Sequence, residues 1–169
     1  VKAMPIDQFQ AWFKSEVILK GVLDGNISMH ALPSKALVLD AQLQARDAQF
    51  LYQFQGGDIK IYPLRSGKLN ANLKNNQFSS SLLLDWAQYG TINATGKYNL
   101  KDKKIQGKLG AALNDLAPLE SLLPFLNKVV GSASANLNFS GSASKPEVVG
   151  NIKVIKGGAN LPKLGLVLR

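Results

Sequence analysis

The chain has 169 residues, 46% of them hydrophobic and 18% charged, which excludes a disordered tail and leaves enough apolar material for one domain. Zero cysteines exclude disulfides, thiolate metal sites and a cysteine nucleophile. Twenty Lys and Arg against eleven Asp and Glu give +9, which suits anionic partners (nucleic acid, phospholipid headgroups, acidic surfaces) or a solvated outer face of lysines.

In chain order, Asp7-Gln8-Phe9-Gln10 places a carboxylate and a following Gln as in a capping box. Phe9, Trp12 and Phe13 share one helical face, so the pattern predicts a short helix over 7–15. Its aromatic stripe suits a plug over apolar strand ends better than a free-standing partner site. From Gly21 the period changes to two, the signature of half-buried strands. Leu23, Ile27 and Met29 open the series. Leu37, Leu39, Ala41, Leu43 and Ala45 alternate with Asp40, Gln42 and Gln44, and Phe50, Tyr52 and Phe54 with Gln53 and Gln55. Gly56-Gly57 turns, and Ile59 and Ile61 follow, ended by Pro63 and Gly67. Leu69, Ala71 and Leu73 oppose Asn70, Asn72 and Lys74, and Asn75-Asn76 turns. Phe78, Leu82, Leu84 and Trp86 lead to a turn near Gly90. Ile92, Ala94, Tyr98 and Leu100 precede the charged turn Lys101-Asp102-Lys103-Lys104, and Ile105, Leu109, Ala111 and Leu113 close the run. Strands every 10–13 residues or so with turns between them predict an all-β meander.

Residues 115–130 break the alternation. Leu116, Leu119, Leu122, Leu123, Leu126 and Val130 form a helical stripe that Asp115 can cap, with a kink expected at Pro124 and a left-handed stop at Gly131. Ala133, Ala135, Leu137 and Phe139 then alternate with Ser134, Asn136, Asn138 and Ser140. Lys145-Pro146 is expected to stop the pairing and turn the chain, since proline has no N–H. Val148, Ile152 and Val154 follow on a last strand beside Asn151 and Lys153.

A shift of 110 positions lays Gly21 on Gly131, Asn26 on Asn136, Ile27 on Leu137, Met29 on Phe139, Lys35 on Lys145 and Val38 on Val148. Repetition of this kind means one supersecondary plan stacked on itself. The unit of glycine, small-residue strand, Pro turn and strand resembles the repeat of the TamB proteins, of the AsmA-like, bridge-like lipid-transfer group. No apolar run approaches 18 residues and no signal-peptide pattern is present. The chain opens at Val1 without Met and stops at Arg169 inside a strand-like run. The expectation is an internal fragment of a longer protein, built as a single repeat-based unit over 1–169.

Residues for catalysis do not converge. His30 is the only histidine, which leaves no Ser-His-Asp set and no histidine-rich metal site within this sequence. Ser142 and Lys145 match Ser-x-x-Lys by letter but fall in a predicted Ser/Pro turn rather than on a helix. Gly90 to Gly96-Lys97 has five residues between the glycines where a phosphate loop has four, and Tyr98 where Ser or Thr should follow. The sequons at Asn26, Asn93 and Asn138 read as polar strand faces. No enzyme activity, cofactor or metal is expected. A nucleic-acid surface is disfavoured because aromatics are not interleaved with basic residues on one face and Arg is scarce.

Amphipathic strands alone favour a barrel or a two-sheet sandwich, which hide the core and the edges. Two features favour an open alternative: small alanines among the inward positions, and repeats that invite continuation past both chain ends. The resemblance supplies its form, a mostly β, long curved antiparallel sheet making an open trough with an apolar concave face and one or two short helices. The large apolar members of the alternations above, from Leu23 to Val154, would line it. The resemblance implies a periplasmic segment of a protein anchored in the inner membrane of a Gram-negative bacterium and reaching the outer membrane. It implies phospholipid acyl chains as cargo or, as the second reading, unfolded β-barrel and autotransporter clients handled with a TamA-type outer-membrane partner. Flanking segments of the same chain would be further partners. A purely structural repeat module is the bland alternative.

Overall fold

The computed structural model describes residues 2–8, 17–31, 37–53, 59–119, 127–161 and 166–168. The strands are β1 (Met4–Pro5), β2 (Val17–Ala31), β3 (Leu37–Gln53), β4 (Ile59–Leu64), β5 (Ser66–Lys74), β6 (Gln77–Asp85), β7 (Gly90–Asn99), β8 (Lys104–Leu113), β9 (Asn127–Ser142), β10 (Lys145–Leu161) and β11 (Leu166–Leu168). All ladders are antiparallel and almost all neighbours are sequential, in the order β1-β2-β3-β5-β6-β7-β8-β9-β10-β11, with β4 paired to the far half of β3. About 82% of the described residues are strand, and no ladder among them joins β1 to β11, so the sheet stays open. The barrel alternative is thereby set aside.

Local chemistry explains the turns. Asn75 and Asn76 have φ of 51° and 61°, the left-handed pair that a two-residue hairpin needs and that Asn tolerates best after Gly. At the next hairpin, the Asn99 side chain accepts the N–H groups of Lys101 (2.9 Å) and Asp102 (3.1 Å). Ser142 Oγ accepts the Lys145 N–H at 3.1 Å, so the turn lies at 143–144 and Pro146 is already inside β10, opposite Gly141. That corrects the expectation that Pro146 ends the pairing. A proline at the start of a strand removes a donor the ladder does not need there.

The internal repeat is visible as two long hairpins. Shifted by 110, β2 covers 127–141, nearly the span of β9, and β3 covers 147–163, close to β10. Each hairpin carries an extra residue on its second strand, where Lys20/Val22 faces Gln49/Arg46 and where Ile155/Gly158 faces Ser132/Val130. A left-handed residue sits in each, Asp47 at φ 50° and Lys156 at φ 49°. Opposite each is a glycine. A Cβ on Gly21 would lie 2.7 Å from Ala48 Cα, and one on Gly131 2.6 Å from the Lys156 carbonyl oxygen. Gly131 is therefore a strand glycine facing a bulge, not a helix stop, and residues 127–130 are strand where a helix end was expected. The rest of that expected helix beyond Leu119, and the first expected helix from Phe9 on, lie outside the described residues; Ile6–Gln8 form one short 3-10 turn.

The bulge at Asp47 has a packing consequence. A one-residue insertion reverses which alternate residues face each side. Odd residues 39–45 and even residues 48–52 of β3 consequently share one face. The ladder to β4 then puts Tyr62 opposite Phe50 and Leu64 opposite Ala48 on it. Pro63 is accommodated because β4 is an edge strand.

Buried side chains gather at one rim, where β3 passes to β4, β6 to β7 and β8 to β9. Leu19, Ala48, Tyr52, Tyr62, Leu64 and Trp86 form one cluster, and Leu113, Leu116 and Val129 a second. The Phe50 and Trp86 rings meet at 5.3 Å, as do Tyr62 and Tyr89. The segment after β8 folds over this end. Leu116 N–H bonds the Gly131 carbonyl (3.0 Å), Pro118 is fully buried, and Tyr62 OH donates to the Ala117 carbonyl (3.2 Å).

Candidate functional site: an open apolar face

Register converts the alternating pattern into rows that cross the strands. One row runs Leu43, Leu69, Leu82, Ala94, Leu109 and Leu137 from β3 to β9. A second, nearer the hairpin turns, runs Met29, Leu39, Leu73, Phe78, Tyr98 and Ile105. Toward the buried rim a third runs Leu23, Ala45, Gly67, Leu84, Ile92, Ala111, Ala135 and Ile152. No second layer covers the middle of this face among the described residues, and apart from the buried Ala41 its side chains are half-buried, by one another, or exposed.

Between the first two rows lies a row of small residues: Ala41, Ala71, Ser80, Gly96 and Gly107, ending at Phe139. Small side chains flanked by large ones leave a furrow, about 19 Å long from β3 to β8 at the usual strand spacing. A cavity of about 260 Å³ sits in it, with Phe78, Tyr98, Ile105 and Phe139 as walls. The larger cavity, about 640 Å³, lies across the hydrophilic side, between rows carrying Asp40, Asn72, Ser79 and Lys97 and Gln42, Asn70, Ser81 and Thr95. Its walls include amides and hydroxyls that bond partly to each other, as Asn70 does to Ser81 (3.1 Å) and Asn72 to Asp40 (3.3 Å), above a floor that includes Ala41, Ala71 and Phe139. Most polar side chains are thus on this face, which also carries the exposed Leu83, Val149 and Ile155.

All but two of the expected lining residues fall into four groups. Leu23, Ile27, Met29, Leu37, Leu39, Leu43, Leu69, Leu73, Phe78, Leu82, Ile105, Leu109, Leu137, Phe139, Val148, Ile152 and Val154 lie on the open face, those on β2 and β10 the most exposed (Met29 68%, Ile152 65%). Phe50, Leu84 and Ile92 are on the same face but pack against the buried clusters. Tyr52, Trp86 and Leu113 are members of those clusters, 8%, 2% and 9% exposed, so they close one end instead of lining an open surface. Ile59 and Ile61 are a correction: they pair with Gln53 and Leu51, face the other side, and are 53% and 52% exposed. Leu100 belongs to a hairpin turn, and Phe54 lies outside the described residues. Tyr62 and Leu64 were missed. The run Ile-Lys-Ile-Tyr-Pro-Leu alternates equally well in either phase, and only the bulge across the ladder selects the second.

Charged and polar candidates are peripheral. His30 is exposed near the end of β2. Gly90 to Lys97 is the body of β7, not a loop. Asp24 accepts the Ala3 N–H (2.7 Å) and pairs with Arg46. The Ala3 N–H and then the Arg46 guanidinium hold its carboxyl below the usual carboxylate range. Among the described residues no three His, Asp or Glu side chains cluster as metal ligands. No helix among them is long and apolar enough to cross a membrane.

The family model for the TamB N-terminal domain matches residues 1–154. The chain belongs to the TamB family. TamB-family proteins are components of the translocation and assembly module, belong to the Gram-negative envelope, span the periplasm and associate with TamA-type partners; they are transport and assembly components rather than a known enzyme family. Neither a curated protein nor a solved structure gives a significant match.

Proposed function

We propose that this chain is a periplasmic conduit segment whose open apolar face carries phospholipid acyl chains between inner and outer membranes, in a parent protein anchored in the inner membrane. The observation that carries the reading is the set of apolar rows, uncovered among the described residues, that cross six strands without a break. Each methylene exposed to water costs about 0.8 kcal/mol, so a two-tailed lipid does not cross an aqueous gap unaided. Six strands spaced about 4.8 Å apart give an apolar row about 24 Å long, more than the ~15 Å depth of one leaflet's hydrocarbon. Protein replaces bilayer along that length, and no bond need be made or broken by this segment. The test is mass spectrometry of lipids copurifying with the whole chain, paired with Leu73→Asp and Leu39→Asp. Phospholipid recovery should fall at least tenfold in both variants while the sheet signal in circular dichroism persists. Unchanged recovery would overturn the reading.

A second reading has its own observation. From Lys145 to Gly158, β10 has a partner strand on one side only among the described residues. Val148, Val149, Ile152, Val154 and Ile155 along it are 48–70% exposed. Such an edge suits strand addition by an unfolded β-client, with a TamA-type protein receiving it. Photo-crosslinkers at Val149 and Ile155 would then capture barrel precursors, whereas those at Leu69 and Leu82 would capture lipid under the first reading.

A further inference from the structure

The two rims of the sheet differ in kind. Connections at one rim are tied into the buried clusters, and its Arg65 is paired with Asp85 at 3.2 Å. The other rim consists of hairpin turns, and these are linked side by side. Leu100 N–H bonds the Asn76 carbonyl (2.8 Å) and Ala143 N–H bonds the Lys103 carbonyl (2.9 Å), so three successive turns form one continuous border. That border carries Lys74, Lys101, Lys103, Lys104 and Lys145, all exposed, against the single carboxylate Asp102, which Asn99 Nδ2 engages at 3.3 Å. None of these lysines has an ion-pair partner among the described residues, and lysines elsewhere on the hydrophilic side stand among amides and hydroxyls.

We propose that this border is a phosphate-recognising track for the headgroups of lipids whose tails lie on the apolar face. It rests on the conduit reading and adds which rim the headgroups occupy and what chemistry holds them. Position supports it. Leu73 immediately precedes Lys74 and Ile105 immediately follows Lys104, so the apolar row Leu73, Phe78, Tyr98 and Ile105 runs one residue inside the basic border. By alternation Lys74 and Lys104 leave on the other face, so a flexible ammonium reaches round the rim to a phosphate set there by a tail on that row and binds it as a point charge. Hairpins two strands wide repeat the basic turn about every 10 Å along the path. An exposed phosphate–lysine contact is weak and exchangeable, which lets a headgroup pass from turn to turn. At the opposite rim the buried clusters exclude a headgroup, so the track is one-sided.

The experiment compares the whole chain with Lys74→Gln/Lys101→Gln/Lys103→Gln/Lys104→Gln and with a control of equal charge loss on the hydrophilic face, Lys68→Gln/Lys97→Gln/Lys108→Gln/Lys153→Gln. Probes are a lysophosphatidylglycerol and a monoacylglycerol of the same chain length, both below their micellar concentrations, with glycerol phosphate as a soluble competitor. The native chain and the hydrophilic-face variant should bind the phosphorylated probe about tenfold tighter than the neutral one at low salt, the gap closing as salt rises. The border variant should bind both probes equally and match the native chain on the neutral one, which also reports an intact fold. Discrimination surviving in the border variant, lost equally in both variants, or abolished by millimolar glycerol phosphate would overturn the track alone. Failure of the native chain to bind either probe would overturn the conduit reading and the track with it.

Discussion

The closed end and the open middle of this sheet are built from the same alternating strands, yet one is a core and the other is a surface. At the closed end Trp86, Tyr62 and Tyr52 fill the space in front of the sheet and the segment through Pro118 lies over them. In the middle the same face carries Leu, Ala, Ser and Gly in rows with no second layer above them among the described residues. What separates them is side-chain volume and one extra residue: aromatics and the bulge at Asp47 concentrate bulk at one rim, and alanine, serine and glycine deplete it elsewhere. On the conduit reading proposed above, stability and cargo handling would fall to different parts of one layer, and each could be perturbed without the other.

The largest expected effect is on that division itself. Deleting Asp47 removes the inserted residue, so Ala48, Phe50 and Tyr52 turn to the hydrophilic side; cooperative thermal unfolding should be lost, and a retained sharp transition would show that the bulge does not set the phase. Next, Trp86→Ala should cost about 3–5 kcal/mol in denaturant unfolding, because a nearly fully buried ring leaves a cavity, while Leu82→Ala on the open face should cost far less. A smaller, sharper probe is Gly96→Leu. A Cβ there meets only Ser80 Oγ at 3.5 Å, so the strand should tolerate it, but the side chain fills the furrow. Lipid copurification should fall severalfold with the unfolding midpoint unchanged. The smallest effect is pH-dependent. Asp24 has a folded pKa below its ordinary value of 3.8, so its contribution is present above that value and is lost as pH falls through the lower, folded one. Hydrogen exchange at the Ala3 amide should accelerate in that acid window, and Asp24→Asn should show the faster exchange already at neutral pH.

Much of the sheet was legible because period-two alternation is a direct statement about faces. Leu69/Leu73 against Asn70/Asn72, and Asn75-Asn76 as the turn, follow from residue type and two dihedral preferences. Gly21 and Gly131, which the 110-residue shift lays on one another, each stand opposite a bulge. Local pattern fails where a distant residue sets the phase. Ile59 and Ile61 outrank Lys60 and Tyr62 in hydrophobicity, yet the insertion at Asp47 across the ladder turns Tyr62 inward. Likewise, Trp86 and Leu113 share the alternation of Leu82 and Leu109. Only the path of residues 114–119 decides that the former are covered and the latter are not, and hydropathy carries no record of that path.

Successive strands lie side by side along the long axis, so a pull between the two ends falls on hydrogen bonds and not on covalent backbone. Within each ladder the bonds share that load in parallel, nine registered pairs between β5 and β6 and ten between β7 and β8. The stitched turns add one more bond at each junction. Such a body stretches little until a whole ladder gives way at once, the mechanical behaviour of a strut more than of a tether.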